Sequence, residues 1–568
     1  MTDHSHAVDR RTLLAATAAS GAAGAALATT VQAEPAEALT AAARRYFAHG
    51  VASGDPLPTA CVIWTRVTPT PVATPGSGRG PEVPVLWEVA TDARFRDVVR
   101  SGTVRTGPGR DHTVKVDVTR LRPGRWYHYR FTHAGHRSRV GRLRTAPAPG
   151  STPRNLRFGL VSCANLQAGW FSAYRHLARR DDLHVILHLG DYLYEYAPGE
   201  YGYGNANVDI RSHRPAREMV ALADYRQRHA QYKQDPDLQD LHARFPFVVT
   251  WDDHESTNDS WRDGAENHQP ESEGSWARRR ARAHRAYDEW MPVRLDGTAA
   301  LGDGTRLYRR LRFGTLAELT MLDLRTYRDQ QVGHGISPVP DPDAAVSDPD
   351  RTITGAAQMD YLLDSVTSDR AQWKLVGNPV MIAPVNFASL PDDLVGPVRD
   401  VTGLLPEDGL PYNVDQWDGY TADRRRVFET IRDHAVNDVV FLTGDIHSGW
   451  ACDLPYDAST YPLGDTAGVE YVVSSVTSNN LKDITGTPAG TTSRAVEAGI
   501  IANNRHVKYL DFDNHGYCVL DVTAERVQMD WYVIGDRADR DAGTRWARSF
   551  ETVTGTRRVR PVDRPLGG

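Results

Sequence analysis

Three stretches of the chain place acidic and imidazole side chains directly after a run of apolar residues. They read LGDYLY at residues 189–194, WDDHE at residues 251–255 and TGDIH at residues 443–447. The apolar runs before them have the length of strands that are buried on both faces. Carboxylates and imidazoles are costly to bury unless they are paired or bind a metal ion. The three stretches therefore predict a site for several metal ions at one edge of a sheet, with hydrolytic chemistry, most naturally on phosphate.

The first stretch offers a carboxylate and a phenol three residues apart. Asp191 follows the predicted strand directly, and its two oxygens can bridge two cations. Tyr194 can bind a metal ion only as a phenolate, which needs a strong Lewis acid, usually ferric iron, to persist near neutral pH. Taken alone, Tyr194 has an alternative explanation as a core or surface tyrosine between Tyr192 and Tyr196. The spacing by itself leaves both explanations open.

The other two stretches resemble metal-binding blocks of metallophosphoesterases. Residues 250–255 have the shape of the Gly-Asn-His-Glu block, in which the amide residue binds metal and the histidine faces the substrate. By position, Asp253 takes the ligand place and His254 takes the substrate-facing place. Residues 444–447 stand where the superfamily has Gly-His-x-His, so that Asp445 replaces one histidine. Carboxylates at these places favour calcium or magnesium over zinc.

A cysteine follows the predicted strand at residues 156–161, where the superfamily has an Asp-x-His pair. A thiolate of Cys163 would be a soft ligand for iron. The commoner role of a cysteine is that of a small buried residue. A nucleophilic thiolate is the third alternative, but no neighbouring Cys/His motif supports it.

Together, these stretches resemble the PhoD-like alkaline phosphatase family, which includes phosphodiesterases and phospholipase D-type enzymes. The matching segments keep the order and spacing of the family over nearly all of the chain that follows the N-terminal segment. They are residues 161–165, 187–195, 251–255, 322–328, 417–420, 444–448 and 474–478.

The resemblance implies a centre of Fe³⁺ and Ca²⁺. The iron ligands carried over by position would be Cys163, Asp191, Tyr194 and His447. Asp191 would bridge to calcium, and the further calcium ligands would be Asp253, Asp445 and, with less support, Asn258. His254 and Asp191 would be the catalytic residues. His254 and His515 would contact the phosphate, although His515 is equally well explained as a loop histidine.

The first 33 residues have the features of an export signal. Arg10 and Arg11 precede an Ala- and Gly-rich apolar stretch, and VQA at residues 31–33 forms a small-x-small cleavage site. The pattern resembles a twin-arginine signal, and a disordered basic start is the alternative. We therefore expect a secreted, monomeric protein that the twin-arginine export machinery carries in folded form. No later apolar run reaches the roughly 18 residues of a membrane span, so no transmembrane segment is expected.

The remaining chain, which is too long for one ordinary domain, divides into an all-β part and an alternating part. Residues 40–146 contain short predicted strands, and LRPGRWY at residues 121–127 is similar to a corner of fibronectin type III sandwiches. Residues 147–155 are a Pro-rich linker. Strands then alternate with helices, including one over residues 216–231, through residues 156–550. We expect an α/β (α+β) protein in which a fibronectin III-like β-sandwich precedes a four-layer αββα metallophosphoesterase core.

Composition argues against two further classes of protein. A formal net charge of −6 over 568 residues argues against a general nucleic-acid-binding role. Four cysteines in a chain of this length do not make a disulfide scaffold, and one bond between Cys452 and Cys518 is the pairing that we expect in an oxidising compartment.

The expected reaction is hydrolysis of phosphate monoesters and diesters by a hydroxide that the metal centre activates. The substrate class stays open between small esters, a wall polymer and phospholipids, and phospholipase D action on phospholipid head groups is the main alternative. A secreted wall- or carbohydrate-binding protein is a remote alternative, because structural metal sites are usually compact and closed. An iron redox enzyme is a further alternative. The calcium-type carboxylates and the lack of a Gly-rich nucleotide-binding turn both argue against it.

Overall fold

The computed structural model describes residues 41–295, 306–332, 344–386 and 413–567. Its strands, β1 to β24 in chain order, span Val51–Gly54, Cys61–Arg66, Val83–Ala90, Val98–Thr106, Thr113–Val118, Trp126–His133, His136–Arg137, Gly141–Arg144, Leu156–Val161, Val185–Leu189, Pro246–Thr250, Ser260–Trp261, Gly264–Ala265, Arg309–Phe313, Ala317–Met321, Trp373–Asn378, Val439–Thr443, Gly449–Pro455, Thr466–Val472, Val507–Asp511, Gly516–Val522, Arg526–Ile534, Thr544–Val553 and Arg560–Val562. Its α-helices span Ala41–Tyr46, Ser172–Ala178, Leu222–Lys233, Pro236–Arg244, Pro270–Glu273, Trp276–Trp290, Ala356–Val366, Thr421–Asp433, Leu481–Thr485 and Thr492–Asn503. The predicted signal segment, residues 1–33, lies outside the described residues.

Two large mixed sheets form the centre of the molecule. One has ten strands in the order β24-β23-β22-β21-β9-β10-β11-β1-β2-β5, and the other has seven in the order β14-β15-β16-β17-β19-β18-β20. Alternate side chains of a strand point to opposite faces of its sheet. In β10, Leu187 and Leu189 therefore pack between the two sheets, while Ile186 packs on the outer face. In β17, Leu442 likewise faces the first sheet and Phe441 faces away.

Helices cover the outer faces of both sheets. The helices Leu222–Lys233, Pro236–Arg244 and Trp276–Trp290 contribute to the apolar cluster on the ten-stranded sheet. The helices Ala356–Val366 and Thr421–Asp433 contribute to the cluster on the seven-stranded sheet. Three stacked cores result, one between the sheets and one under each helical layer, and this confirms the expected four-layer αββα arrangement.

The N-terminal strands do not form a separate pair of sheets. Strands β1, β2 and β5 extend the ten-stranded sheet, because β1 pairs in parallel with β11, Ser53 opposite Pro246. The five-stranded sheet of β3, β4, β6, β7 and β8 packs on them around a common apolar cluster. The predicted corner is present, since the Tyr127 hydroxyl accepts a hydrogen bond of 2.8 Å from the Arg122 N–H. The N-terminal strands thus pack as two layers, as in a sandwich, but one of these layers is part of the ten-stranded central sheet.

Two local expectations are wrong. The helix predicted from residue 216 begins at Leu222, because the Asp224 carboxylate accepts the N–H of Ala221 at 2.8 Å and ends the preceding loop there. Cys452 and Cys518 do not form a disulfide bond: both are free and buried, and they lie in different sheets and different apolar clusters. None of the described helices combines the length and the apolar character needed to cross a membrane.

The junction between β1 and the central sheet depends on one buried ion pair. Asp55 follows β1 with 1% of its surface exposed, and its carboxylate accepts hydrogen bonds from the Arg294 N–H at 2.7 Å and from Arg309 Nε at 2.9 Å. Removing one partner of a buried pair leaves an uncompensated charge.

We expect Asp55→Asn to lower the free energy of unfolding by about 3 kcal/mol, because it strands the Arg309 guanidinium. Asparagine tolerates the left-handed backbone of this position, φ 46°, so the charge alone is tested. The measurement is the midpoint of urea denaturation. Asp117→Asn is the control: it breaks a half-exposed pair with Arg294 and should cost under about 1 kcal/mol. Equal effects of the two substitutions would contradict the expectation.

Candidate metal centre

Four strand ends converge on one point between the two central sheets. Strands β9, β10 and β11 are parallel neighbours, so the segments after them meet at one edge of the ten-stranded sheet. The segment after β17 approaches from the facing sheet. Two glycines permit this approach: a Cβ on Gly190 would lie 2.7 Å from the Asp252 Cβ, and one on Gly444 would lie 2.3 Å from the Ser162 Oγ. This explains why each Asp of these two blocks follows a glycine.

The backbone at these strand ends adopts a conformation that is rare for residues with a side chain. Cys163, Asp191, Asp445 and His447 have φ values of 58°, 54°, 64° and 54°. Each such residue costs roughly 1–2 kcal/mol. Strain of this kind is concentrated at functional sites, where the surrounding structure maintains it.

A first group of side chains contains all four residues that the sequence places on iron. The ligand atoms of Cys163, Asp191 and His447 lie within 4.8 Å of one another. The Tyr194 hydroxyl donates to Asp191 Oδ2 at 2.9 Å and lies 3.2 Å from His447 Nε2. It also accepts a hydrogen bond of 2.7 Å from the Ser478 hydroxyl. A thiol, a carboxyl, an imidazole and a phenol are therefore directed at one point.

The protonation of this group suits metal binding. His447 Nδ1 donates to the Asn479 carbonyl at 2.8 Å, which leaves the Nε2 lone pair free to bind. Burial lowers the pKa of His447 to about 3, so the ring is neutral. Burial, followed by the charge of Asp191, raises the pKa of the Cys163 thiol and of the Tyr194 phenol. A cation is what can deprotonate these two groups near neutral pH.

A second group shares Asp191 with the first. Ligand atoms of Asp191, Asp253 and His254 lie within 4.8 Å of one another. Asp191 Oδ1 is buried and has no hydrogen-bond partner among the described residues. Burial raises the pKa of Asp191 well above its usual value; the charge of His254 opposes this effect, and those of Asp253 and Asp252 add to it. Its position in both groups is the one expected of a bridging carboxylate.

An arginine lies behind the carboxylates of the second group. Arg325 Nη2 contacts Asp252 Oδ2 at 3.0 Å and Asp415 Oδ2 at 2.9 Å, and Arg325 lies 3.7 Å from Asp445. Asp445 Oδ2 accepts a further hydrogen bond of 2.9 Å from Gln416 Nε2. Asp445 thus lies at the edge of the acidic cluster and in neither of the two groups.

His254 is held in its charged form. Its Nδ1 lies 2.8 Å from Glu195 Oε2, which is fully buried. Burial alone would lower the pKa of His254, but the carboxylates of Asp253 and Glu195 raise it well above its usual value. The Tyr194 ring lies against the imidazolium, with 4.1 Å between centroids. With Nδ1 bonded to Glu195, Nε2 is the nitrogen that a substrate can reach.

Besides Asp445, two predicted site residues lie in neither group. Asn258 turns its side-chain amide to Glu266 Oε2 at 2.7 Å, and it is its backbone N–H that contacts Glu195. His515 is 5% exposed, and its two nitrogens lie 2.9 Å from Ser475 Oγ and 2.8 Å from Asp483 Oδ2. Neither nitrogen of His515 is directed at the groups described above.

Several supporting residues were missed from the sequence, although they lie in the segments that carry the resemblance. Glu195 holds His254, and Arg325 holds the acidic cluster. Glu255 accepts the backbone N–H groups of Tyr192 at 2.6 Å and Asp252 at 2.9 Å, and thereby ties two strand ends together. Because such contacts join distant parts of the chain, only their presence inside these segments could have singled them out.

The donor set fits a centre of more than one cation. A thiol, a phenol and an imidazole form an iron-type set, while Asp253 offers carboxylate oxygen of the kind that calcium prefers. Among the described residues around the site, carboxylates outnumber buried arginines, and Asp191 Oδ1 has no hydrogen-bond partner. Added positive charge would satisfy that oxygen and compensate the acidic cluster.

Comparisons with known proteins give one consistent result. A family model described as "PhoD-like phosphatase" matches residues 158–531, and one described as "PhoD-like phosphatase, N-terminal domain" matches residues 32–147. Alkaline phosphatase D of Bacillus subtilis (strain 168) is 36% identical over 516 residues, which cover 90% of this chain and 82% of that protein. A solved structure of PhoD superposes with a TM-score of 0.79 at 34% identity, over 92% of this chain and 93% of that one. These similarities do not favour the phospholipase D alternative.

We expect Asp191→Asn to stabilise the metal-free protein and to remove its response to metal ions. A buried carboxyl with a raised pKa lowers stability as pH rises, since ionisation is then forced on it, and asparagine removes this cost at pH 8. Without its bridging carboxylate, the variant should lose most of the roughly 3 kcal/mol that a ligand at a hundred times its Kd gives the wild type. The measurement is the melting temperature with and without added iron and calcium.

Asp237→Asn is the matched control for this prediction. Asp237 lies in the helix Pro236–Arg244, and burial, with the charge of Asp235, raises its pKa to about 6. This variant should keep the full response to metal ions. An Asp191→Asn protein that still gained the wild-type increment would show that Asp191 is not a ligand.

Proposed function

Because the chain belongs to the PhoD-like phosphatase family and is a hydrolase of phosphate esters, we propose that it cleaves both monoesters and diesters. The reaction would take place where the ends of β9, β10, β11 and β17 converge. The observation that carries this proposal is the shared position of Asp191. One buried carboxylate, with an unsatisfied oxygen, lies between a soft, iron-type group and a group that contains a charged histidine.

The metal ions that we propose are Fe³⁺ and Ca²⁺. Iron would be held by Cys163, Asp191, Tyr194 and His447, and calcium by Asp191 and Asp253, with Asp445 and Asn258 as further candidates. When bound, such cations supply Lewis acidity that holds phosphate oxygens and lowers the pKa of water. The strained strand ends orient the side chains, so little rearrangement is needed when the cations bind.

His254 would act on the substrate from the side opposite Glu195. Its Nδ1–H is bonded to Glu195, and so its Nε2–H is directed at the phosphate or at the oxygen of the leaving alcohol. A charged imidazolium can first bind a phosphate oxygen and then give its proton to the departing alkoxide. Glu195 keeps the His254 ring in one orientation and keeps the proton on its Nδ1. His254 is therefore our proposed general acid.

We also propose the organisation and location that the sequence indicates. Residues 1–33 would direct secretion by the twin-arginine machinery, and the mature protein would act as a monomer on phosphate esters outside the cell. Residues 40–146 would form the accessory β domain, residues 147–155 the linker, and residues 156–550 the catalytic domain. The N-terminal family match, residues 32–147, supports the first of these boundaries.

The iron proposed for the first group of side chains can be tested by spectroscopy. Ferric iron bound to Tyr194 should give a visible charge-transfer band, and Tyr194→Phe should abolish it because no other phenol contacts Asp191 and His447 among the described residues. Iron content is measured on the same samples. Tyr192→Phe is the control: its hydroxyl contacts His242 at 2.9 Å instead, and it should keep the band. A colourless, iron-free and fully active wild type would refute the iron assignment.

The role of His254 predicts a change in the pH profile of the reaction. As a general acid, His254 must be protonated, so kcat/KM falls as pH rises through its pKa. In Glu195→Gln the loss of one nearby negative charge should lower the pKa of His254, which moves the falling limb to lower pH. At alkaline pH, kcat/KM should drop at least about tenfold. The measurement uses p-nitrophenyl phosphate and bis-p-nitrophenyl phosphate.

Glu266→Gln is the control, because Glu266 contacts the Asn258 amide and not His254. It should leave the position of the falling limb unchanged. If the falling limb of the pH profile keeps its position in Glu195→Gln, His254 is not the general acid. A metal-loaded wild type that hydrolyses neither ester would refute the proposed function itself.

A further inference from the structure

Two tyrosine rings lie beside His254 without a hydrogen-bonding role of their own. The Tyr196 ring is 5.5 Å from the His254 ring and 5.3 Å from the Tyr201 ring, between centroids. The Tyr201 ring is 6.5 Å from His254, nearly parallel to it at 19°, and 5.7 Å from Tyr194. Together they form an aromatic wall next to the proposed general acid.

The hydroxyl groups of the wall are unused. Among the described residues, neither Tyr196 nor Tyr201 has a hydrogen-bond partner for its hydroxyl, and both residues remain partly exposed. Other tyrosines of this region do use theirs: Tyr192 contacts His242, and Tyr203 donates to Asp536 at 3.1 Å. A buried tyrosine usually finds a partner. Partly exposed tyrosines whose hydroxyls have no partner among the described residues, next to a reacting group, are therefore available to a ligand.

The wall is fixed in place by its backbone. Asn165, which follows β9, donates from its side chain to the Tyr201 carbonyl at 2.7 Å. Gln167 donates to the Ala197 carbonyl at 3.2 Å. The Gly204 N–H donates to Asn479 Oδ1 at 3.0 Å. These contacts tie the loop to the segment that carries Cys163 and to Asn479, whose carbonyl accepts the His447 Nδ1–H. The rings are therefore positioned before a substrate arrives, which lowers the entropic cost of binding.

We propose that Tyr196 and Tyr201 form a subsite for the alcohol part of the substrate and select esters that carry an aromatic ring close to the ester oxygen. The inference rests on the proposed function, since it takes His254 as the donor to the leaving oxygen. That oxygen must lie near His254 Nε2, because Nδ1 is bonded to Glu195. The groups attached to the oxygen then lie within reach of the two rings, which attract a flat ring by offset or edge-on contact.

The neutral state of both rings supports an uncharged aromatic group here. Burial raises the pKa of Tyr196 and of Tyr201, so both are neutral phenols at working pH. Charges of both signs act on the rings: Glu195 and Asp253 raise the pKa of Tyr196, whereas Arg537 lowers the pKa of Tyr201. A neutral aromatic alcohol needs no charged partner and can contact the faces and edges of the two rings.

The test compares benzyl phosphate with cyclohexylmethyl phosphate. Their leaving alcohols are similar in size and acidity, so a difference in kcat/KM reports contact with the aromatic ring. Metal-loaded wild type should prefer the benzyl ester by about threefold to tenfold, the range of an aromatic pair. Tyr201→Leu should bring the ratio close to one, mainly by raising KM for the benzyl ester. Tyr201→Phe keeps the ring and should keep the ratio.

Tyr203→Leu is the matched control in the same loop. The Tyr203 ring lies against Arg537 and its hydroxyl contacts Asp536, so its removal should leave the ratio of the two esters unchanged. The subsite is refuted if Tyr196→Leu and Tyr201→Leu lower kcat/KM for both esters equally, which would mean that the rings only pack against His254. Failure of the wild type to hydrolyse either ester would instead refute the proposed function, and the two outcomes are distinct.

Discussion

The burial of Asp191 among other carboxylates is the constraint on which the site depends. A carboxylate inside a protein requires a partner of opposite charge or a metal ion. The buried guanidinium of Arg325 is bonded to Asp252 and Asp415, and Asp191 Oδ1 has no hydrogen-bond partner among the described residues. The fold thus brings together more negative charge than its own cations balance. Bound metal ions would remove this imbalance, and so binding and stability are coupled at this point.

The sheet topology creates that concentration of charge and also limits where it can occur. Parallel strands β9, β10 and β11 end at one edge, and β17 reaches the same place from the facing sheet. Four of the residues there have positive φ, which the chain maintains because Glu255 and Ser162 hold the turns through backbone contacts. Local strain of roughly 1–2 kcal/mol per residue is tolerated within a core of two packed sheets. The same strain orients the ligands, and this is why the site does not have to reorganise.

The sequence predicted the strands that carry the site better than it predicted the connections between distant strands. The largely apolar runs at residues 156–161 and 185–189 coincide with β9 and β10, because strands buried on both faces are mostly apolar; Arg157 and His188 are the polar residues within them. The join of β1 to β11 could not be foreseen, since it depends on pairing between segments almost two hundred residues apart, Ser53 opposite Pro246. His515 shows the same limit: its position in the sequence suggested a phosphate contact, but Asp483 and Ser475 engage both of its nitrogens.

The short segment after β10, residues 191–201, carries candidate metal ligands, the carboxylate that holds His254 and the two tyrosines of the aromatic wall. Asp191 and Tyr194 point to the two groups of candidate ligands, Glu195 holds His254, and Tyr196 and Tyr201 lie beside His254. In a strand these side chains would alternate between two faces, whereas an irregular segment can direct neighbouring side chains in more than two directions. The chemistry and the selectivity are therefore fixed relative to each other by one piece of backbone. On the proposed roles, changes in the aromatic wall would alter which alcohol is accepted without moving Asp191, the carboxylate proposed to hold the cations.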